Sequence, residues 1–198
     1  MQLTTSDGER LDADLADSLT MEPIGDVVIC HPHPLFGGNR FNIVVETLFT
    51  ALPATGFRAL RFDFRSTHGD GVDERLDVVA AIDALDALDE PTSRPMFLVG
   101  YSFGAAVALN TRHRRIDAMV AIAPPLTTMS ASEPTVPTLV ITPRHDQFCA
   151  PEEAAAIVAS WPGAEFQILD AADHFLSGSV ADAAEQTSSW LVERTRRS

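Results

Sequence analysis

The chain has 198 residues, 45% hydrophobic and 21% charged, and its 28 acidic side chains against 14 basic ones give a formal charge of -14. Every basic residue is arginine, which excludes Schiff-base chemistry, a pyridoxal phosphate anchor, a Ser-Lys dyad and a P-loop, since each needs a lysine amine. The acidic excess argues against non-specific nucleic-acid binding, and no basic segment is present to hold the chain on an anionic membrane.

The first ten residues are polar and lack the basic and apolar regions of a signal peptide. No apolar run approaches the ~20 residues of a transmembrane helix. Cys30 and Cys149 are too few for a disulfide framework. These features predict a cytoplasmic protein with reduced thiols, folded as a single domain over residues 1–198. Segments 4–5 and 11–15 flank Ser6-Asp7-Gly8-Glu9, which reads as the turn of an N-terminal hairpin within residues 1–20. Apolar runs then alternate with helical spacing. Strands are predicted at 27–30, 59–64, 96–99, 116–123, 138–142 and 165–169, and helices at 41–52, 72–90, 103–113, 152–160 and 180–194. Short buried runs separated by helices imply a mostly parallel, twisted sheet of seven to eight strands with helices on both faces. In such sheets ligands bind beyond the carboxyl ends of the strands, so chemistry is sought just after each run.

Gly100-Tyr101-Ser102-Phe103-Gly104 follows the third of these runs and opens the next helix. Gly-x-Ser-x-Gly in that setting is a nucleophile elbow. A serine on so sharp a turn crowds its neighbours, and the flanking glycines remove the offending side chains. Serine needs a base held by an acid. His174 follows the last strand candidate, and Asp146 follows the run at 138–142. The chain order Ser102, Asp146, His174 is that of the α/β-hydrolase triad. His145 shares a loop with the acid, Asp170 and Asp173 lie close to His174 in sequence, and the run at 116–123 ends in Ala-Pro-Pro without an acid. Asp146 is therefore preferred by elimination as well as by place. His113 and His68 read as structural hydrogen-bonders.

An oxyanion hole needs two donors. One is expected from Phe103 N–H, the other from the loop His31-Pro32-His33-Pro34-Leu35-Phe36-Gly37-Gly38-Asn39. Prolines have no N–H, which leaves Leu35 or His33, with Leu35 favoured. Gly37 and Gly38 let backbone approach a substrate, and Asn39 is a candidate helix cap. Two imidazoles at His31 and His33 also suggest a metal pair, but no further ligands stand nearby, so neither a metal nor any other cofactor is expected.

Together these motifs resemble the α/β-hydrolase superfamily. The loop above, with Asn42-Ile43-Val44-Val45 and Arg61-Phe62-Asp63-Phe64-Arg65, is similar to a branch of small, lidless bacterial serine hydrolases, over residues 25–190. One departure stands at Ser66-Thr67-His68-Gly69-Asp70-Gly71, where that branch usually has a Gly-x-Gly-x-Ser-type turn. The resemblance implies an α/β-hydrolase fold with no cap domain and an esterase-like reaction class.

The residues themselves predict acyl transfer to water, with Ser102 attacking and His174, oriented by Asp146, as base. Segment 124–137 is too short for a cap. Phe36, Gly37, Phe148, Phe175 and Met129 lie near the catalytic loops and suit a small or medium acyl ester or thioester. Peptidase or amidase activity on the same residues, and a non-catalytic binding protein on this fold, are the rivals. A monomer or homodimer acting on a small molecule, without nucleic acid or membrane, is expected. Arg112, Arg114 and Arg115, and likewise Arg194, Arg196 and Arg197, close predicted helices. Asp73, Glu74, Asp77, Asp83, Asp86, Asp89 and Glu90 read as one solvated acidic face.

Overall fold

A computed structural model describes residues 1–67, 70–88 and 94–196. The N-terminal hairpin forms as expected: β1 (Gln2–Thr4) and β2 (Arg10–Ala16) pair antiparallel around Gly8, whose φ of 93° needs glycine. Then follow β3 (Gly25–Cys30), α1 (Ile43–Ala54), β4 (Phe57–Phe62), α2 (Glu74–Asp86), β5 (Met96–Tyr101) and α3 (Phe103–Asn110). The series ends with β6 (Ile116–Ile122), β7 (Thr138–His145), α4 (Pro151–Val158), β8 (Ala164–Asp173) and α5 (Val180–Thr195). The eight strands form one sheet in the order β1-β2-β4-β3-β5-β6-β7-β8, parallel from β4 to β8.

Period-two side-chain alternation explains why β3 is an unbroken apolar run from Val27 to Cys30. Val27 and Ile29 pack with Val45, Leu48 and Leu191 beneath α1 and α5, whereas Val28 and Cys30 pack with Val78, Ile82 and Val107 beneath α2 and α3. The β3–β5 pair occupies the middle of the sheet, and its carboxyl ends carry the loops of interest. Among the described residues no helix is long and apolar enough to cross a membrane.

Several boundaries differ from the sequence pattern, those of α1 and α3 for local reasons and those of β7 and β8 through their mutual pairing. Helix α1 starts at Ile43, capped by Asn42, whose Oδ1 accepts Val44 N–H at 3.0 Å; Asn39 instead accepts Phe41 N–H in the preceding turn. Helix α3 ends at Asn110, because Thr111 turns extended and Arg112 Nη1 donates to the Leu109 and Thr111 carbonyls. Strands β7 and β8 run past their apolar segments to pair His145 with Asp173, which carries both past the register of β6.

The acidic segment requires a correction. Glu74 and Asp77 of α2 are fully buried, not solvated. Asp77 accepts from the Arg65 backbone N–H at 2.9 Å and from its Nε and Nη2 at 2.9 and 2.7 Å, while Asp7 in the hairpin turn takes Nη1 at 2.8 Å. Asp83 faces His113 at 3.3 Å, and Asp86 faces Arg115 at 2.7 Å. Asp89, Glu90, His68 and Arg197 lie outside the described residues. Removing one partner of a buried pair strands the other charge, so Asp77→Ala is expected to cost about 3–5 kcal/mol. Chemical denaturation checks this, and a loss below about 1 kcal/mol would show that water already solvates Arg65.

Candidate active site

Ser102 occupies the step from β5 into α3 with φ 53° and ψ -120°, a conformation that L side chains rarely adopt. Its neighbours have to be glycine. A Cβ on Gly100 would stand 2.4 Å from Gly104 O, and one on Gly104 would stand 2.4 Å from Cys30 O and 2.5 Å from His31 O. These are backbone atoms that cannot swing aside, so helix α3 can start this close to β3 only without those side chains.

The turn presents Ser102 Oγ to His174 Nε2 at 2.9 Å. His174 Nδ1 lies 3.0 Å from both oxygens of Asp146. The structure thus brings together the three residues selected from chain order, at the ends of β5, β7 and β8. Asp146 is 8% exposed and His174 5%, so their pair is shielded from water while Ser102 Oγ remains reachable. Supporting contacts hold the pair. Phe148 and Cys149 N–H donate to Asp146 Oδ1 at 2.8 and 3.2 Å, Gln147 Oε1 accepts His174 N–H at 3.1 Å, and Tyr101 OH donates to His174 O at 2.8 Å. Burial pushes the Tyr101 phenol up, which keeps it a donor. Gln147, next to Asp146, is a partner that sequence reasoning missed. The competing acids are engaged elsewhere: Asp173 accepts from Ser177 N and Oγ, and Asp170 pairs with Arg144. His145 is exposed.

Phe103 N–H, at the first position of α3, donates to no backbone carbonyl among the described residues. The opposite wall is the loop after β3, where Pro34–Phe36 forms one 3-10 turn. Leu35 N–H donates to His33 Nδ1 at 3.2 Å, and Leu35 is 70% exposed and outside the cleft lining, whereas His33 lines the cleft with its ring 4.4 Å from that of Phe103.

His31 is a clamp. Its Nδ1 sits 2.6 Å from Pro32 O and so carries the proton, and its Nε2 accepts Phe64 N–H at 2.9 Å, tying the end of β3 to the segment after β4. Both ring nitrogens are occupied, and no cluster of three or more His, Cys, Asp or Glu suited to a metal occurs among the described residues. Burial pushes the His31 pKa down to about 4 from an ordinary 6.5. Because the native pKa lies below the unfolded one, the unfolded chain takes up the proton first as pH falls. Stability is therefore complete above pH 6.5 and declines towards pH 4, by about 2 kcal/mol at about pH 5. A thermal melt series across that range checks this. His31→Gln, which can replace both bonds without titrating, should flatten the slope, and an unchanged slope would contradict it.

The cleft between these walls measures about 1040 Å³. Phe36, Gly37, Phe148, Phe175 and Met129 all line it, as do Asp70 of the departing loop and Val72 and Arg75 of the predicted helix, none of which stood among the candidate site residues. Phe36, Phe148 and Phe175 are 88, 53 and 61% exposed, and the Phe148 ring packs 4.4 Å from His174, so the rim is apolar and open.

A parallel sheet of this order, covered on both faces and with a serine on a strained strand–helix turn, defines an α/β hydrolase without a cap. The sequence profile of the alpha/beta hydrolase family matches residues 27–134, more than half of the chain, and the chain belongs to that family. Solved structures agree along almost the whole length. An alpha-beta serine hydrolase homologue from Coxiella burnetii is 26% identical, with 96% of each chain covered and a TM-score of 0.87. A protein of unknown function from Agrobacterium tumefaciens is 27% identical, covering 99% of this chain and 96% of its own, with a TM-score of 0.88. A serine hydrolase without lid from Xanthomonas campestris, 23% identical with a TM-score of 0.84, covers 100% of this chain and 93% of its own and shares the fold.

Proposed function

We propose that the protein is a serine hydrolase that cleaves small or medium acyl esters or thioesters through an acyl-enzyme. The observation that carries this reading is the unbroken line from Ser102 Oγ through His174 to Asp146, with contacts of 2.9 and 3.0 Å. Asp146 has two backbone N–H donors of its own and remains an acceptor, so it holds the Nδ1–H tautomer of His174 and leaves Nε2 as the base. Ser102 Oγ attacks the substrate carbonyl as Nε2 takes its proton. The tetrahedral oxygen is received by Phe103 N–H and a backbone donor of the 33–35 loop. His33 is assigned that second donor over Leu35, whose N–H is spent on the His33 ring. Collapse expels the alcohol or thiol, protonated by His174. Water, deprotonated by the same imidazole, then cleaves the acyl-serine and restores the enzyme.

An open cleft rimmed by Phe36, Phe148 and Phe175 supports an acyl group of modest size, entering without a lid. Rates on matched aryl esters, acyl thioesters and aminoacyl anilides test the substrate class. Turnover of the esters or thioesters with none of the anilide is expected. Anilide cleavage at a comparable rate would make the protein an amidase or peptidase on the same residues, and no turnover of any would favour a binding protein.

A further inference from the structure

Arg75 is the only arginine among the described residues that line the cleft. The chain has twice as many acids as arginines, and Arg40, Arg58, Arg61, Arg65, Arg115 and Arg144 all reach carboxylates. Arg75 reaches none among the described residues. Among the described residues only its Nε is engaged, donating to Val72 O at 3.0 Å, which leaves both Nη amines with donors. Its position is also unfavourable for folding. It is the second residue of α2, where the positive end of the helix dipole disfavours a cation, and it is half-buried. An arginine held there without a carboxylate, facing a cleft, has donors to offer a ligand.

The wall beside it is fixed. Gly71 N–H donates to the buried Glu74 Oε2 at 3.0 Å, and a Cβ on Gly71 would stand 2.9 Å from Met129 Cε. Asp70 belongs to the same wall and makes no ion pair with Arg75. Among the described residues the rest of the cleft lining holds no other carboxylate or guanidinium.

We propose that Arg75 is a specificity residue that binds an anionic group, a carboxylate or a phosphate, on the molecule that Ser102 attacks. The proposal rests on the serine-hydrolase reading and adds the charge of the substrate to it. Guanidinium and carboxylate or phosphate match as a fork of parallel N–H···O bonds, which a half-buried site strengthens. Asp70 repels the same anion, so the preference depends on Arg75 and disappears without it.

The test uses two matched pairs. One is a butanoyl and a hemisuccinyl ester of the same phenol; the other is a butanoyl thioester of a neutral thiol and of its phosphorylated form. Wild-type enzyme is expected to favour the anionic member of one pair by about tenfold in kcat/KM, expressed in KM and eroded by added salt. The pair that responds tells whether the anion sits on the acyl or the leaving group. In Arg75→Gln the ratio should fall to one or below, and Arg75→Lys should restore part of it. A ratio near one for both pairs in wild type, or one that survives in Arg75→Gln, overturns the proposal. Equilibrium titration of the same pairs onto Ser102→Ala separates it from the hydrolase reading. If nothing is turned over, tighter binding of an anionic member that is lost in Ser102→Ala/Arg75→Gln still supports Arg75, and equal binding of both members overturns it.

Discussion

Ser102→Ala is expected to lower kcat on an aryl ester by about 10⁴- to 10⁶-fold while the protein keeps its fold and melting temperature. The size of the loss follows from the geometry. His174 Nε2 has its 2.9 Å contact with Ser102 Oγ, and the variant leaves the base with nothing to deprotonate but water. What survives should come from the cleft and the donors at Phe103 and the 33–35 loop. The backbone makes a second, opposite statement. Ser102 is held at φ 53°, a strain that alanine keeps and glycine relieves. Ser102→Gly should therefore be as inactive as Ser102→Ala but more stable by about 1 kcal/mol. Steady-state rates and denaturation midpoints read the two effects separately. An alanine variant within tenfold of wild type would remove Ser102 from the chemistry.

Gly104→Ala is expected to cost about 3 kcal/mol or more of folding stability. The added Cβ would meet Cys30 O at 2.4 Å, Cys30 C at 2.6 Å and His31 O at 2.5 Å, all backbone of the central strand β3 and of the residue that follows it. Relief requires α3 to move away from β3. That movement carries Phe103 N–H away from the His33 loop, so activity should fall together with stability. Chemical denaturation gives the first and ester turnover the second. A variant losing less than about 1 kcal/mol with full activity would mean that α3 has room the structure denies. Gly100→Ala meets Gly104 O at 2.4 Å and should behave alike.

How far the sequence could be read depended on whether a property is local. The alternation of buried runs with helices is local, and it predicted the parallel sheet and both layers, because a strand buried on two faces reads as a mostly apolar run, as β3, β4 and β5 do, with Asp26, Arg58 and Arg61 as the charged exceptions. The Gly-x-Ser-x-Gly turn is local too, and chain order combined with position at strand ends selected Asp146 and His174 without distances. What failed was non-local. Glu74 and Asp77 look like the solvated face of an acidic helix until Arg65, twelve residues before Asp77, is folded against Asp77 and the Gly71 N–H against Glu74. Leu35 was favoured over His33 as a donor on paper, and the folded loop reverses that preference, with Leu35 N–H donating to the His33 ring and His33, not Leu35, lining the cleft. Arg75 sat among acids in a helical segment, and nothing in its neighbours announced that it borders the cleft. Strands β7 and β8 outran prediction because their last residues pair with each other and not with a core.

The proposed chemistry requires Ser102 to be a nucleophile activated by His174. A fluorophosphonate probe with intact-mass readout tests it most directly, because the probe reports the nucleophile itself and needs no knowledge of the substrate. One adduct per chain is expected on the wild-type protein, none on Ser102→Ala, and slow labelling of His174→Gln, which keeps the serine but loses its base. An unlabelled wild-type chain, or equal labelling of the Ser102→Ala variant, would contradict it.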